Sequence, residues 1–185
     1  MVQVQATAGF YHDNNLFRLP SVSDAVVENV FGIDPKNNSD TARILGIGLK
    51  LDKLISRQRL VADINVNETR YDKNTDLNFT GGDGRTAWLW QLGNDWSGEA
   101  SYQRRRQLGG FEDFRRDVQD LIDTDIYSLT GGYQFHPRWR VSADVSKQDS
   151  EHSAAVRRTL DYDSETVGAE LRYRTPALNF IGVQA

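Results

Sequence analysis

Stretches of alternating polarity in this chain are joined in strict turn by a tight connection and a long polar one, and that rhythm limits what the chain can fold into. The tight connections fall at 52–58, 93–96, 136–138 and 175–178, and the long ones at 12–41, 72–85, 107–124 and 147–164. Transmembrane β-barrels are organised in this way, with short periplasmic turns, longer outer loops and strands of about 9 to 11 residues. The recurrence of about 40 residues also suits a β-propeller blade, but a blade needs four strands and each period here holds two.

Within the stretches the period is two, which sends successive side chains to opposite faces. Leu45, Ile47, Leu49 and Leu51 alternate with Gly46, Gly48, Lys50 and Asp52. Leu60, Ala62, Ile64 and Val66 alternate with Arg59, Asp63, Asn65 and Asn67, and only Val61 breaks the rule. The scheme returns at 126–135, at 139–146 and at 166–174. A soluble β-sandwich alternates too. Two features favour the membrane. Trp88, Trp90, Trp96, Tyr133, Phe135, Trp139 and Tyr173 gather beside the tight connections, where a barrel keeps its interfacial girdle. The apolar faces also accept Gly and Ala, which a lipid-facing wall tolerates better than a packed core does.

Composition removes other classes. With 38% apolar residues and no run near the roughly 18 apolar residues of a spanning helix, a helical membrane protein is excluded, whereas a barrel shows lipid only every second residue. The absence of cysteine removes disulfides and thiol chemistry. A net charge of -4 with basic residues scattered among acids leaves no footprint for nucleic acid. The expected fold is all-β, an antiparallel up-and-down transmembrane β-barrel. Residues 1–185 supply about nine strands, read as a single partial barrel domain out of roughly 16 to 18.

The segment Gly9-Phe10-Tyr11-His12-Asp13-Asn14-Asn15-Leu16-Phe17-Arg18-Leu19 resembles the D-x-N-L-F-R-L opening of the exopolysaccharide-associated outer-membrane barrels of the EpsL type. The similarity continues at Ser39-Asp40-Thr41, over 49–60, at Ala87-Trp88-Leu89-Trp90-Gln91-Leu92, at Ser97-Gly98-Glu99 and at Gly110-Phe111-Glu112-Asp113-Phe114-Arg115. The resemblance implies a porin-like barrel, longer than this chain, in the outer membrane of a Gram-negative cell. It implies a non-enzymatic channel or accessory in exopolysaccharide biosynthesis and export. The expected partners are outer-membrane lipid and lipopolysaccharide, with polysaccharide and export machinery. It carries no catalytic motif, metal or cofactor. The alternative is a soluble or surface β-sheet domain that binds carbohydrate.

A conduit for sugars needs hydroxyl, amide and carboxylate groups that exchange hydrogen bonds at little net cost, and charges that tune passage. The polar faces offer Lys50, Asp63, Asn65, Glu99, Gln103, Arg105, Asp144, Glu170, Arg172 and Arg174 as lumen or polysaccharide contacts. The sharpest charged feature is Arg104, Arg105 and Arg106, followed by Arg115 and Arg116. Alternation turns Arg105 inward with Gln103. Arg104, Arg106, Arg115 and Arg116 are then an outer-mouth basic cluster, either gripping an acidic polysaccharide or lipopolysaccharide phosphate or snorkelling to the headgroups.

Other motifs are thin. His12, His136 and His152 stand in loops or turns beside no ligand pattern. Asp72-Lys73-Asn74-Thr75-Asp76 opens like a calcium loop, but Leu77 stands where the EF-hand needs Gly. Gly81-Gly82-Asp83-Gly84-Arg85 lacks the Lys-Ser/Thr of a phosphate loop and reads as a flexible loop ending. Two long connections have helical character. Residues 23–31 can form a short helix capped by Ser23 or Asp24, and 111–123 carries Phe111, Phe114, Val118, Leu121 and Ile122 at helical spacing. Both are expected at the rim.

Overall fold

Strand register decides which side chains share a surface, and here one register runs through the whole chain. The computed structural model describes residues 1–112 and 117–185. Its strands are β1 (Val2–Asp13), β2 (Asp40–Ile55), β3 (Gln58–Tyr71), β4 (Phe79–Leu92), β5 (Trp96–Leu108), β6 (Leu121–His136), β7 (Trp139–His152), β8 (Tyr162–Arg174) and β9 (Phe180–Gln184). All nine form one antiparallel sheet in sequence order. The sheet is open: β1 and β9 each pair on one side only, so it is not closed into a barrel.

The tight connections lie where expected. Ser56 and Arg57 alone join β2 to β3, with Ser56 at φ 56, and Pro137 and Arg138 join β6 to β7. The strands themselves are longer than expected, 12 to 16 residues from β1 to β8. Backbone N–H and C=O groups need partners whatever side chains they carry, so the ladder runs past the apolar stretch into polar sequence. The expected flexible loop at 81–85 is therefore the first half of β4: Gly82 and Gly84 pair with Val66 and Ile64 on one side and with Arg106 and Arg104 on the other. The expected helix over 111–123 is also corrected. Leu121, Ile122 and Asp123 lie in β6, opposite Leu108, Gln107 and Arg106, and 113–116 fall outside the described residues.

The 14–39 connection does contain the expected helical turn. Ser23 sits at its N-cap and accepts the N–H groups of Val26 and Val27 with its backbone carbonyl, although its side chain makes no cap bond. Asp24–Val26 continues as a wider turn over Val27–Phe31 and stops at Gly32.

This connection supplies the small apolar core. Leu16, Phe17, Leu19, Val27 and Ile33 pack with Ala42, Tyr71, Leu77 and Phe111, and the Phe17 and Phe111 rings meet edge-on at 4.9 Å. The core therefore sits at the long-connection end of the sheet, on its rim. Two buried carboxylates fasten that end. Asp40 receives N–H groups from Lys73 and Asn74. Asp120 receives the Ala154 N–H at 3.0 Å and lies 3.3 Å from Arg157 Nε.

Candidate functional site

Cross-strand pairing sorts the side chains into two continuous surfaces. One runs through Val4, Leu49, Ile64, Gly84, Arg104 and Asp125, and its middle band is apolar: Leu45, Ile47, Leu60, Ala100, Leu129, Val141, Val145, Val167 and Leu171. Nothing among the described residues covers that band. Leu45 is 65% exposed and Val167 77%. The opposite surface carries the polar alternates and is buried only toward the long-connection end, where Thr69 is 3% exposed and Ser150 5%; in its middle the Lys50 and Asp63 side chains are half open to solvent. A soluble sheet keeps its apolar face inside; here that face is bare.

Aromatic pairs bracket the apolar band. Beside the tight connections Trp96 stacks on Tyr133 at 4.6 Å, and Trp139 packs on Tyr173 at 4.8 Å. At the other end of the band Tyr102 and Tyr127 pair at 5.0 Å. Six residues separate Trp96 from Tyr102 along β5, roughly 20 Å at strand rise. Aromatic pairs thus stand at both ends of the apolar band.

All ten expected lumen residues fall on the polar surface, in two groups. Across β2 to β5, Lys50 pairs with Asp63 at 3.1 Å, Asn65 reaches Asp63 and Asp83 at 3.3 and 3.4 Å, and Arg85 pairs with Glu99. Gln103 and Arg105 stand directly across β4 from Arg85 and Asp83. Across β7 to β9, Glu170 binds Arg172 at 2.7 Å and accepts Ser142 Oγ–H at 3.4 Å. The Arg172 guanidinium lies 5.6 Å from the centre of the Phe180 ring, Asp144 packs over Gly168, and Arg174 lies opposite Phe180. Each pair is open to solvent and individually worth about 0.2–1 kcal/mol. Together they make a mosaic of both signs with no dominant charge.

Sequence reasoning missed Asp83 and Arg85 because the glycines around them read as a loop. The expected basic cluster is divided and largely neutralised. Arg104 lies 3.4 Å from Asp123 and 3.6 Å from Asp125, and Arg106 lies 3.7 Å from Asp123, all on the apolar-band surface beyond Tyr102. Arg105 faces the other way, as alternation required. Arg115 and Arg116 fall outside the described residues.

The histidines are less isolated than their sequence positions suggest. His152 ends β7 and is held between Asp161 at 3.0 Å and Asp120 at 4.0 Å. Its neighbours come from 32 residues before and 9 after, which no local pattern could reveal. His12 touches Thr41 Oγ1 at 3.0 Å and Ser39 Oγ at 3.3 Å, with hydroxyls rather than a carboxylate on both ring nitrogens. In the 72–76 loop, Asp72 pairs with Arg43 at 3.0 Å and Asn74 is tied to Asp40, so that segment is fastened to β2. No helix among the described residues is long and apolar enough to cross a membrane.

Comparison of the chain with protein-family models, with curated proteins and with solved structures gave no match.

Proposed function

We propose that this sheet is part of the wall of an outer-membrane β-barrel that serves as a non-enzymatic, porin-like channel or accessory in exopolysaccharide export. The observation that carries this reading is the bare apolar band, bracketed by aromatic pairs, on a sheet whose small core covers only the rim. Water would penalise such a surface, and lipid would not. The open edges of β1 and β9 also need partners inside a bilayer, where an unpaired backbone group costs several kcal/mol. The proposal supplies them as further strands that close a barrel of roughly 16 to 18. The polar mosaic then lines a wet lumen whose mixed charges favour neither anions nor cations strongly.

A second reading, a surface β domain that binds carbohydrate, is favoured by a recess of about 410 Å³ at the rim, lined by Tyr11, Asn67, Thr69, Phe79 and Gln107. Its volume is within the range of small-ligand sites.

The two readings part on lipid. Purified with and without detergent, the protein should show β circular dichroism and heat-modifiable gel migration only with detergent, and should insert into phosphatidylcholine vesicles. A monodisperse, folded protein in plain buffer would remove the membrane and export reading and leave glycan binding in its place.

A further inference from the structure

The balance of signs on the polar surface stops at the tight-connection end of β7 and β8. A recess of about 440 Å³ there is lined by Arg138, Arg140, Arg172 and Arg174, and Glu170 is the one carboxylate in its wall. The register sets the arginines in two rows. Arg140 pairs directly with Arg172, and the Arg174 N–H donates to the Arg138 carbonyl at 2.7 Å, so these two also lie side by side. Like charges directly opposite one another across strands are destabilising, and an anion seated between them would relieve that cost.

We propose that this recess binds a multivalent oxyanion, a chain molecule bearing two or more carboxylate or phosphate groups. Unmatched charge selects the occupant. Glu170 is engaged with Arg172 through both of its oxygens, at 2.9 and 2.7 Å, and the same guanidinium lies against the Phe180 ring. Arg140 donates to the Ser97 carbonyl at 3.3 Å, a neutral acceptor. Among the described residues no carboxylate forms an ion pair with Arg138, Arg140 or Arg174. Arg43 and Arg70 are opposed across β2 and β3 in the same way, yet each has its own carboxylate, Asp72 at 3.0 Å and Glu68 at 2.7 Å. Four guanidiniums against one carboxylate therefore leave a local excess of positive charge in the recess. Their Cβ atoms are spaced about 5 Å across the strands and about 7 Å along them. The planar forks are thus spread over a surface, as successive acid groups of a chain require, rather than converged on one small ion. The sheet also holds one fork in place: the Arg140 guanidinium lies across Gly132, where a Cβ would collide with it. On the membrane reading above the tight connections face the periplasm, which puts the recess at the inner mouth of the lumen; the site itself rests on the register and the charges alone.

The test is equilibrium binding to the intact protein at low ionic strength, in whichever of detergent or plain buffer keeps it folded, with trigalacturonate, tripolyphosphate and neutral maltotriose as probes. Wild type should bind at least one of the two anions and not maltotriose; which anion binds tells carboxylate from phosphate. Arg138→Gln with Arg174→Gln should weaken that binding by about tenfold or more, the scale of lost charge-assisted bonds. Gly132→Ala should weaken it with every charge retained, because the added methyl displaces the Arg140 guanidinium. Arg43→Gln with Arg70→Gln removes the same number of charges from the long-connection end and should leave it unchanged within about twofold, since distant surface charges are screened. No binding of either anion by wild type, equal binding of maltotriose, or equal loss in the Arg43/Arg70 variant overturns the inference. None of these results bears on the detergent comparison, so the site and the membrane reading fail separately.

Discussion

Asn74 donates to one oxygen of Asp40 twice, through its backbone N–H at 2.8 Å and its side-chain amide at 2.8 Å, while the Lys73 N–H bridges both carboxylate oxygens at 3.1 Å. Asp40 is 2% exposed, so this contact ties the start of β2 to the 72–78 connection without help from water. Asp40→Ala leaves several of these donors unmatched and should cost about 2–3 kcal/mol. The loss should be local. Hydrogen exchange should rise across 14–39 and 72–78, while the amides in the middle of β3 to β6 keep their protection.

The same carboxylate sets an acid limit. Burial alone would raise the Asp40 pKa, but the hydrogen bonds from Asn74, Lys73 and Thr41 outweigh it and hold the group below the ordinary value of 3.8. Asp13 is held below that value by its hydrogen bond with Arg18. A depressed folded pKa means that the unfolded chain takes up protons first. The stabilisation is therefore complete above 3.8 and lost as pH falls through the lower folded values. Protection of 14–39 should stay flat from neutral pH down to mildly acid solution and fall only below the ordinary aspartate range. Asp40→Asn should weaken it at neutral pH and flatten the Asp40 part of the acid transition, as hydrogen exchange across a pH series would show.

A close approach fixes the aromatic girdle. A Cβ added at Gly98 would fall 2.3 Å from the Trp90 ring and 2.1 Å from the Thr130 carbonyl oxygen, so the indole lies flat across the sheet only because residue 98 has no side chain. Gly98→Val should destabilise the fold by about 1–3 kcal/mol or more, as overpacking does. It should also shift Trp90 emission. Lower thermal stability with an unchanged emission spectrum would mean that the indole is not held by this contact.

Period-two alternation made the apolar band legible. The sequence placed Leu45, Ile47, Leu49 and Leu51 on one surface, and the register confirms it. It also turned Arg105 away from Arg104 and Arg106 before any pairing was known. Strand ends were harder to read, because ladder bonds do not depend on side-chain polarity and the glycines of 81–84 look like a loop until β3 and β5 pair with them. Asp83 and Arg85 were left out of the polar mosaic for that reason. The carboxylate fastenings could not have been found locally at all: Asp40 and Asn74 are 34 residues apart, and so are Asp120 and Ala154.

Glu170 and Leu171 are chain neighbours on opposite surfaces, which makes them a matched probe of environment. Leu171 lies between Val141 and Val183 in the apolar band, and Glu170 lies between Ser142 and Gln184 in the polar mosaic. In a lipid-facing wall Leu171→Arg should cost about 2–4 kcal/mol at mid-membrane, less toward an interface. Glu170→Gln keeps the shape and gives up an exposed ion pair with Arg172, so it should cost less than about 1 kcal/mol. Urea titration in detergent micelles and in lipid vesicles gives both values. A water-facing sheet would feel the Leu171 change by no more than about 0.5 kcal/mol. A covered sandwich core would feel it strongly, but in plain buffer as well as in detergent. Only the lipid-facing wall combines a large penalty at 171, a small one at 170 and a fold that depends on detergent or lipid.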